Sequence, residues 1–189
     1  AAIAAGVLIN TAGFLQTQAE NTGTESTEQV SNNINVLGAV GQVNNSDQVN
    51  ETRLTVAPAA GSAAVNLEDL TIQYVSDDEF ANLVHNSTAQ DGDYGFETEA
   101  ITAEDRSDNV MTDSSDRYEI IVPLGSDVGL NDSAFADSEH DGNNSDLALL
   151  DEGESAELTI TTAAGAQLTA TVQVPESLAG SENGSTVTL

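Results

Sequence analysis

Apolar residues open this chain in an almost unbroken run, AAIAAGVLINTAGFL over residues 1–15, and then give way to a polar stretch, QTQAENTGTESTEQVSNNINV, without proline. Alanine, leucine and isoleucine favour helix, and isolated Gly23 costs about 1 kcal/mol relative to alanine without ending one. The pattern predicts a helix to about Asn33, roughly 50 Å long at a rise of about 1.5 Å per residue, further than one small domain can cover. Its N-terminal half should therefore project. The apolar run is shorter than the roughly 20 residues of a membrane span, and it lacks the basic n-region of a secretory signal peptide. Because it is apolar on every face and not along one stripe, it suits self-association better than folding back on its own sheet.

From about residue 36 the period changes to two. Leu54 and Val56 flank Thr55; Leu70, Ile72 and Tyr74 alternate with Thr71 and Gln73; Tyr118, Ile120 and Val122 alternate with Glu119 and Ile121 before Pro123. Each run is bounded by Gly, Asp, Asn, Ser or Pro, as strands joined by turns are. The C-terminal third reads as a β-hairpin, Ala156–Thr162 and Gln167–Val174 about the turn Ala163-Ala164-Gly165-Ala166, with Leu158 and Ile160 on one face matched by Leu168, Ala170, Val172 and Val174. The expected fold is α+β: residues 1–35 a long hydrophobic helix for polymerisation, residues 36–189 an antiparallel immunoglobulin-like β-sandwich. Few aromatics and much Ala, Val, Thr and Gly predict a sheet core of small residues.

Charge changes the picture of partners. Against 32 acidic residues stand three basic ones, Arg53, Arg106 and Arg117, for a formal net charge of -29. A surface of one sign repels nucleic acid and anionic membranes alike. With clear strand periodicity, such acidity indicates adaptation to high salt and not disorder. The three arginines are expected in charge-assisted contacts, within the domain or between subunits. Cysteine is absent, which excludes disulfides, thiolate metal sites and cysteine nucleophiles.

The join AAIAAGVLINTAGFLQTQAE, a polar helical segment, and then the strands NLEDLTIQYV, RYEIIVPLG and LDEGESAELTITTAAGAQLTATVQVP together resemble archaellins, the archaeal flagellins, of haloarchaea. The resemblance covers essentially the whole chain, and its N-terminal part is the specific one. It implies a type IV pilin-like subunit whose helix packs in the core of a filament while the β-domain forms the outer surface. It also implies a helix that begins further upstream, after a prepilin-peptidase site, so that the sequence is truncated relative to the family pattern. The implied partners are a homopolymer through the N-terminal helix bundle, a second archaellin, and the archaellum motor and anchoring proteins, with membrane contact only before assembly and an extracellular, cell-surface location afterwards.

The residues support this use of the helix. Burying Ile3, Val7, Leu8, Ile9, Phe14 and Leu15 would gain roughly 10 to 18 kcal/mol gross per subunit, of which association consumes a large part. Ala2, Ala5, Gly6, Ala12 and Gly13 are small enough to let helix backbones approach closely.

Three kinds of chemistry remain as candidates. Asn-x-Ser/Thr without proline occurs at Asn44, Asn50, Asn86, Asn131, Asn143 and Asn183, each in a polar, turn-like stretch open to N-glycosylation; the resemblance, too, implies N-linked glycans. Asp137, Glu139 and Asp141, followed by Gly142, have the alternate oxygen-ligand spacing of a calcium loop, but Ala148 stands where an EF-hand needs its bidentate Glu, so a solvated acidic loop is the stronger reading. Asp77-Asp78-Glu79 and Asp91-Gly92-Asp93 are weaker metal candidates. Catalysis has the least support: His85 and His140 lie in polar, turn-rich segments without a nucleophile elbow, and no phosphate-binding glycine loop is present.

The leading function is therefore a structural subunit of the archaellum filament, serving swimming motility, with no catalytic residue and no cofactor. The alternative is an adhesion pilin or an S-layer-like surface protein anchored by the same helix. At molar salt the Debye length falls to about 3 Å, which screens the self-repulsion of this surface. Melting temperatures should therefore rise steeply between about 0.1 M and 3 M KCl, and a thermal melt unchanged over that range would overturn the halophilic reading.

Overall fold

A computed structural model describes residues 2–90, 92–125 and 147–189. Helix α1 spans Ala2–Ser31, 30 residues, or about 45 Å. Its polar half contains many poor helix formers, whose hydroxyls are taken up inside the helix. Thr17, Thr22, Thr24, Ser26 and Thr27 each donate to the carbonyl four residues earlier, so these side chains bond within the helix and do not compete with it.

Strands follow in chain order: β1 Ile34–Val43, β2 Val49–Pro58, β3 Val65–Asn66, β4 Thr71–Ser76, β5 Phe80–His85, β6 Tyr94–Thr102, β7 Val110–Met111, β8 Arg117–Pro123, β9 Ser155–Thr161, β10 Gln167–Gln173 and β11 Thr186–Thr188. Among the described residues nine of them form one sheet, in the order β10-β9-β4-β5-β6-β8-β2-β1-β11, and β3 pairs with β7 apart from it. The sheet curls until β1, near one end, approaches β10 at the other.

Strand β6 makes the corner. Its first residues, Tyr94–Phe96, pair in parallel with Leu83–His85 of β5, while Glu97–Thr102 pair antiparallel with β8. The expected immunoglobulin-like sandwich of two antiparallel sheets is corrected accordingly. Two layers do face each other across one core, but they are hydrogen-bonded into a single curled sheet, and the β5–β6 pair is parallel. A strand that changes partner part-way along carries no local mark in its sequence, because each half obeys the same period of two.

The predicted strands sit where the alternation put them. Leu54, Val56, Ile72, Tyr74, Tyr118, Ile120, Val122, Leu158, Ile160 and Val172 are all buried. The hairpin β9–β10 runs in register from Gln167 opposite Thr161 to Gln173 opposite Ser155. Its turn is closed by the Gly165 amide on the Thr162 carbonyl, with Gly165 at a φ of 82° that side-chain-bearing residues rarely adopt. The core lies on the sheet, as expected, and is built mainly of Leu, Val, Ile and Ala, with Tyr74, Tyr118 and Phe96 as its largest fully buried side chains.

Close approach dictates one further glycine. A Cβ on Gly41 in β1 would stand 2.8 Å from Val49 Cγ1 and 3.1 Å from the Leu189 side chain, so the C-terminal residue can close over β1 only where no side chain intervenes. Leu189 also donates its amide to the Ala39 carbonyl.

Tyr74 lies fully buried on β4, and burial, reinforced by the charges of Glu79 and Glu154, pushes its phenol up to about 12. The unfolded phenol titrates near 10, so the folded state favours the neutral form; stability is intact below about pH 10 and is lost as pH rises through about 12. Stability should fall across that window by roughly 3 kcal/mol, read as a lower melting temperature, and Tyr74→Phe should flatten the fall. An equal fall in wild type and variant would overturn the assignment.

Candidate functional site

The candidate site is α1 and the seat that holds its last turn. All seven residues expected to form a filament core, Ile3, Gly6, Val7, Leu8, Ile9, Phe14 and Leu15, lie on the continuous helix. Described side-chain surroundings begin at Asn10, and from there through Thr24, and again at 26–29, the helix is exposed. Phe14 is 68% and Leu15 60% exposed, and an added Cβ at Gly13 or Gly23 would meet no atom within 4 Å. Over these described residues the helix therefore does not fold back on its own sheet. Among the described residues no helix is long and apolar enough to cross a membrane.

At the base, two loops grip the chain as it leaves the helix. The Ala63 amide donates to Asn32 Oδ1 at 3.0 Å, and the Ala59 amide to the Asn33 carbonyl at 2.9 Å, both from the segment after β2. From the β9–β10 turn, Thr162 Oγ1 donates to the Asn32 carbonyl at 3.3 Å, and Gln29 Nε2 reaches the Gly165 carbonyl at 3.4 Å. Asn33 Oδ1 accepts from the Ile34 amide at 2.8 Å, and Ile34 is the first fully buried residue beyond the helix. Two asparagines thus satisfy the backbone where the helix stops and the strand begins, a role short polar side chains perform at helix ends. Sequence reasoning missed this seat, because it depends on loops 30 and 130 residues away.

Charge is spent sparingly. Arg53 on β2 bonds through Nε to Glu51, whose carboxylate is fully buried, and stands 3.4 Å through Nη1 from Glu119 of β8. Burial pulls the guanidinium pKa down, and the two carboxylates more than offset this, leaving it above its usual value. Arg106 and Arg117 behave differently. Arg106 Nη2 donates to the Ile101 carbonyl at 3.0 Å, and Arg117 Nη1 to the carbonyls of Ser114 and Asp116 at 3.0 and 2.6 Å; among the described residues neither meets a carboxylate.

His85 is not in an open turn, as its neighbours suggest, but ends β5 buried against the edge of Phe96 at 5.4 Å. Its ring nitrogens meet Ser87 Oγ at 2.8 Å and Thr98 Oγ1 at 3.1 Å, and burial pushes its pKa down. Those partners are hydroxyls, so the arrangement is a satisfied core histidine. His140 lies outside the described residues.

The structure separates the glycosylation candidates. Asn183 is exposed in the turn before β11, and Asn44 is half-buried at the β1–β2 turn, where its Oδ1 accepts the amides of Ser46 and Gln48. These two turns adjoin, since Val43 exchanges backbone hydrogen bonds with Gly184 and Ser185, at the end of β1 furthest from the helix. Asn86 donates its amide to Glu97 at 2.7 Å, and Asn50 lies within β2 with its side-chain oxygen buried. Asn131, Asn143, Asp137, Glu139 and Asp141 lie outside the described residues. No cluster of metal-ligating side chains occurs among the described residues. Glu79, of the weaker candidate Asp77-Asp78-Glu79, instead accepts from Tyr94 Oη and the Ala148 amide.

Comparison with known proteins bears on the whole arrangement. A family model described as archaeal-type flagellin matches residues 1–187. Flagellin A2 of Halobacterium salinarum is 40% identical over 178 residues, covering 94% of this chain and 81% of that protein. Flagellin A2 of Haloferax volcanii is 34% identical over 202 residues, covering 100% and 88% respectively. Among solved structures, the archaeal flagellum of Methanospirillum hungatei superposes with a TM-score of 0.61 at 12% identity, over 97% of this chain and 87% of that one. The crystal structure of archaeal flagellin FlaB1 from Methanocaldococcus jannaschii gives 0.57 at 12% identity, over 82% and 94%. With a helix that stands clear of its own sheet and a match along almost its whole length, this chain belongs to the archaeal-type flagellin family, and it is a structural filament subunit and not an enzyme.

Proposed function

We propose that the chain polymerises through α1, residues 1–35 forming the core of an extracellular, cell-surface archaellum filament and residues 36–189 its outer layer. The observation that carries this is the exposure of Phe14 and Leu15 on a helix that the body grips at its base. An apolar helix in that position lowers its free energy by packing against the same helix of other copies, and Gly6 and Gly13 admit close approach. Membrane contact is confined to the subunit before assembly, when the same surface needs a lipid partner. A second archaellin fits the same bundle, and the motor and anchoring proteins act on the assembled filament. The adhesion-pilin or S-layer alternative is disfavoured by the family to which the chain belongs.

In this reading Gly6→Glu or Leu8→Asp puts an unpaired carboxylate into a packed helical core, at a cost of several kcal/mol repeated in every subunit. Electron microscopy of cells carrying either variant should find no filaments, while circular dichroism of the purified variant should find the β-rich body folded. Normal filaments, or an unfolded body, would sink the assignment.

N-linked glycans belong to the outer layer, and accessibility ranks the sites: Asn183 and Asn44 first, Asn86 and Asn50 after them, with Asn131 and Asn143 also acceptors by sequence. No metal or other cofactor is needed by the filament role; calcium at Asp137, Glu139 and Asp141 would be an accessory to it. Intact-mass analysis of native protein should show additions that map, in peptides cut at Asp or Glu, to Asn183 and Asn44 at higher occupancy than Asn50. A native mass equal to the bare polypeptide would rule the glycans out.

A further inference from the structure

Two patches on the β-rich body are apolar and exposed; aspartates top the first, and two guanidinium groups with no carboxylate contact among the described residues flank the second. The first is the tip of the β4–β5 hairpin. Val75 and Phe80 are cross-strand partners, 39% and 59% exposed, and between them Asp77 and Asp78 point into solvent. The second surrounds the bulge in β6 where Ile101, 43% exposed, is inserted between the pairs Ala100–Tyr118 and Thr102–Arg117. Arg106 folds onto the Ile101 carbonyl and Arg117 flanks Thr102, so both arginines that meet no carboxylate among the described residues gather at one exposed isoleucine.

Acidic residues are plentiful around that second patch, but many are engaged with backbone or hydroxyl donors. Asp105 accepts from the Ser107 amide and hydroxyl, Asp108 from the Val110 amide, Asp113 from the Ser115 amide and hydroxyl, and Asp116, itself buried, from the amides of Thr112 and Asp113. Those turns hold their carboxylates in place while the guanidinium groups keep donors to spare, since each guanidinium has five.

The strand registers put the patches at opposite poles. Ser76 of β4 pairs with Ala156, at the start of β9, whereas the far end of β9 runs into Thr162 and the helix seat; the hairpin tip is therefore distal from the helix. Through β8 and β2, Tyr118 pairs with Val56 and Val56 with Val36, two residues after Ile34, so the Ile101 patch is proximal to it.

We propose that these patches dock on each other between successive copies of this chain, the hairpin tip of one body seating Phe80 and Val75 against Ile101 of the next, with Asp77 and Asp78 on Arg106 and Arg117. Such a contact is heterologous: it uses different surfaces on its two sides and propagates without closing, which is what an open helical polymer requires. Apolar contact strengthens in salting-out electrolyte, and ion pairs in direct contact are screened less than the long-range field, so the junction suits concentrated brine.

The test uses the full chain, produced in cells that assemble it. Phe80→Asp and Ile101→Asp should each cut filament number by more than about tenfold, because the lost burial recurs at every junction. The charge pair is read by exchange: D77R/D78R and R106E/R117E should each raise the salt concentration at which sheared filaments dissociate, and the four substitutions together should return it toward wild type. Thermal melts of each purified variant identify any that fail through misfolding, and the exchanged quadruple variant then decides. Filaments with wild-type number and dissociation point in all four single-patch variants would overturn the docking while leaving the helix-driven polymer intact. A quadruple variant no better than either pair alone would overturn the pairing of these two surfaces.

Discussion

Everything in this molecule follows from an apolar helix that its own chain does not cover. The β-rich body takes hold of the chain at Gln29 in the last turn of α1 and at Asn32 and Asn33 just beyond it, and from Asn10 to Thr24 the described side chains face outward. A single exposed Leu on a protein surface is ordinary, but a terminal run that is apolar on every side is not. The free energy that water denies to the isolated subunit becomes available only when several such helices pack together. The exposed Phe14 and Leu15 are the described part of that unmet burial.

That requirement shapes the rest of the chain. If the helix is to be shared among neighbours, the body must fold without it, and the body does possess a complete core of its own, from Ile34 through Tyr74, Phe96 and Tyr118 to Val172. The helix seat then needs only to orient. Its contacts are hydrogen bonds from Ala59, Ala63 and Thr162 to Asn32 and Asn33, the residues just after the helix, each worth about 1 kcal/mol net. Such contacts fix the exit direction without consuming the apolar face. Acidity is the matching constraint outside. A net charge of -29 keeps subunits from associating through arbitrary surfaces, so that specific junctions must supply apolar area and the few available cations.

Helix, hairpin and core positions were legible because each rests on a local period. Residues 2–31 form the predicted helix, the β9–β10 turn falls at Gly165, and Leu70, Ile72 and Tyr74 face inward as alternation requires. What stayed hidden is non-local. The run INVLGAVGQV gives β1 a broken pattern because Leu37 is bulged out of register, and its partner strands lie at both ends of the chain. The parallel β5–β6 pairing depends on a connection, not a motif. His85 reads as a turn residue because its Asn-Ser-Thr neighbours are polar, yet the ring is turned inward to Ser87 and Thr98. Glu51 is the sharpest case, since no rule of composition would bury a carboxylate in so acidic a chain; its burial is explained by Arg53 two residues along the same strand.

Arginine use completes the argument. A chain with three cations and 32 acids could satisfy every guanidinium many times over by proximity alone, so where each one goes reflects geometry and not scarcity of partners. Arg53 is placed where a buried carboxylate makes it indispensable to the fold. Arg106 and Arg117 are held by backbone carbonyls, which fix their positions without a direct carboxylate partner among the described residues, while the nearby carboxylates bond to serine, threonine and valine donors. A guanidinium held in place with donors to spare is poised for an external partner, and in a repeating assembly of acidic bodies the nearest external carboxylates belong to the next copy of the same chain.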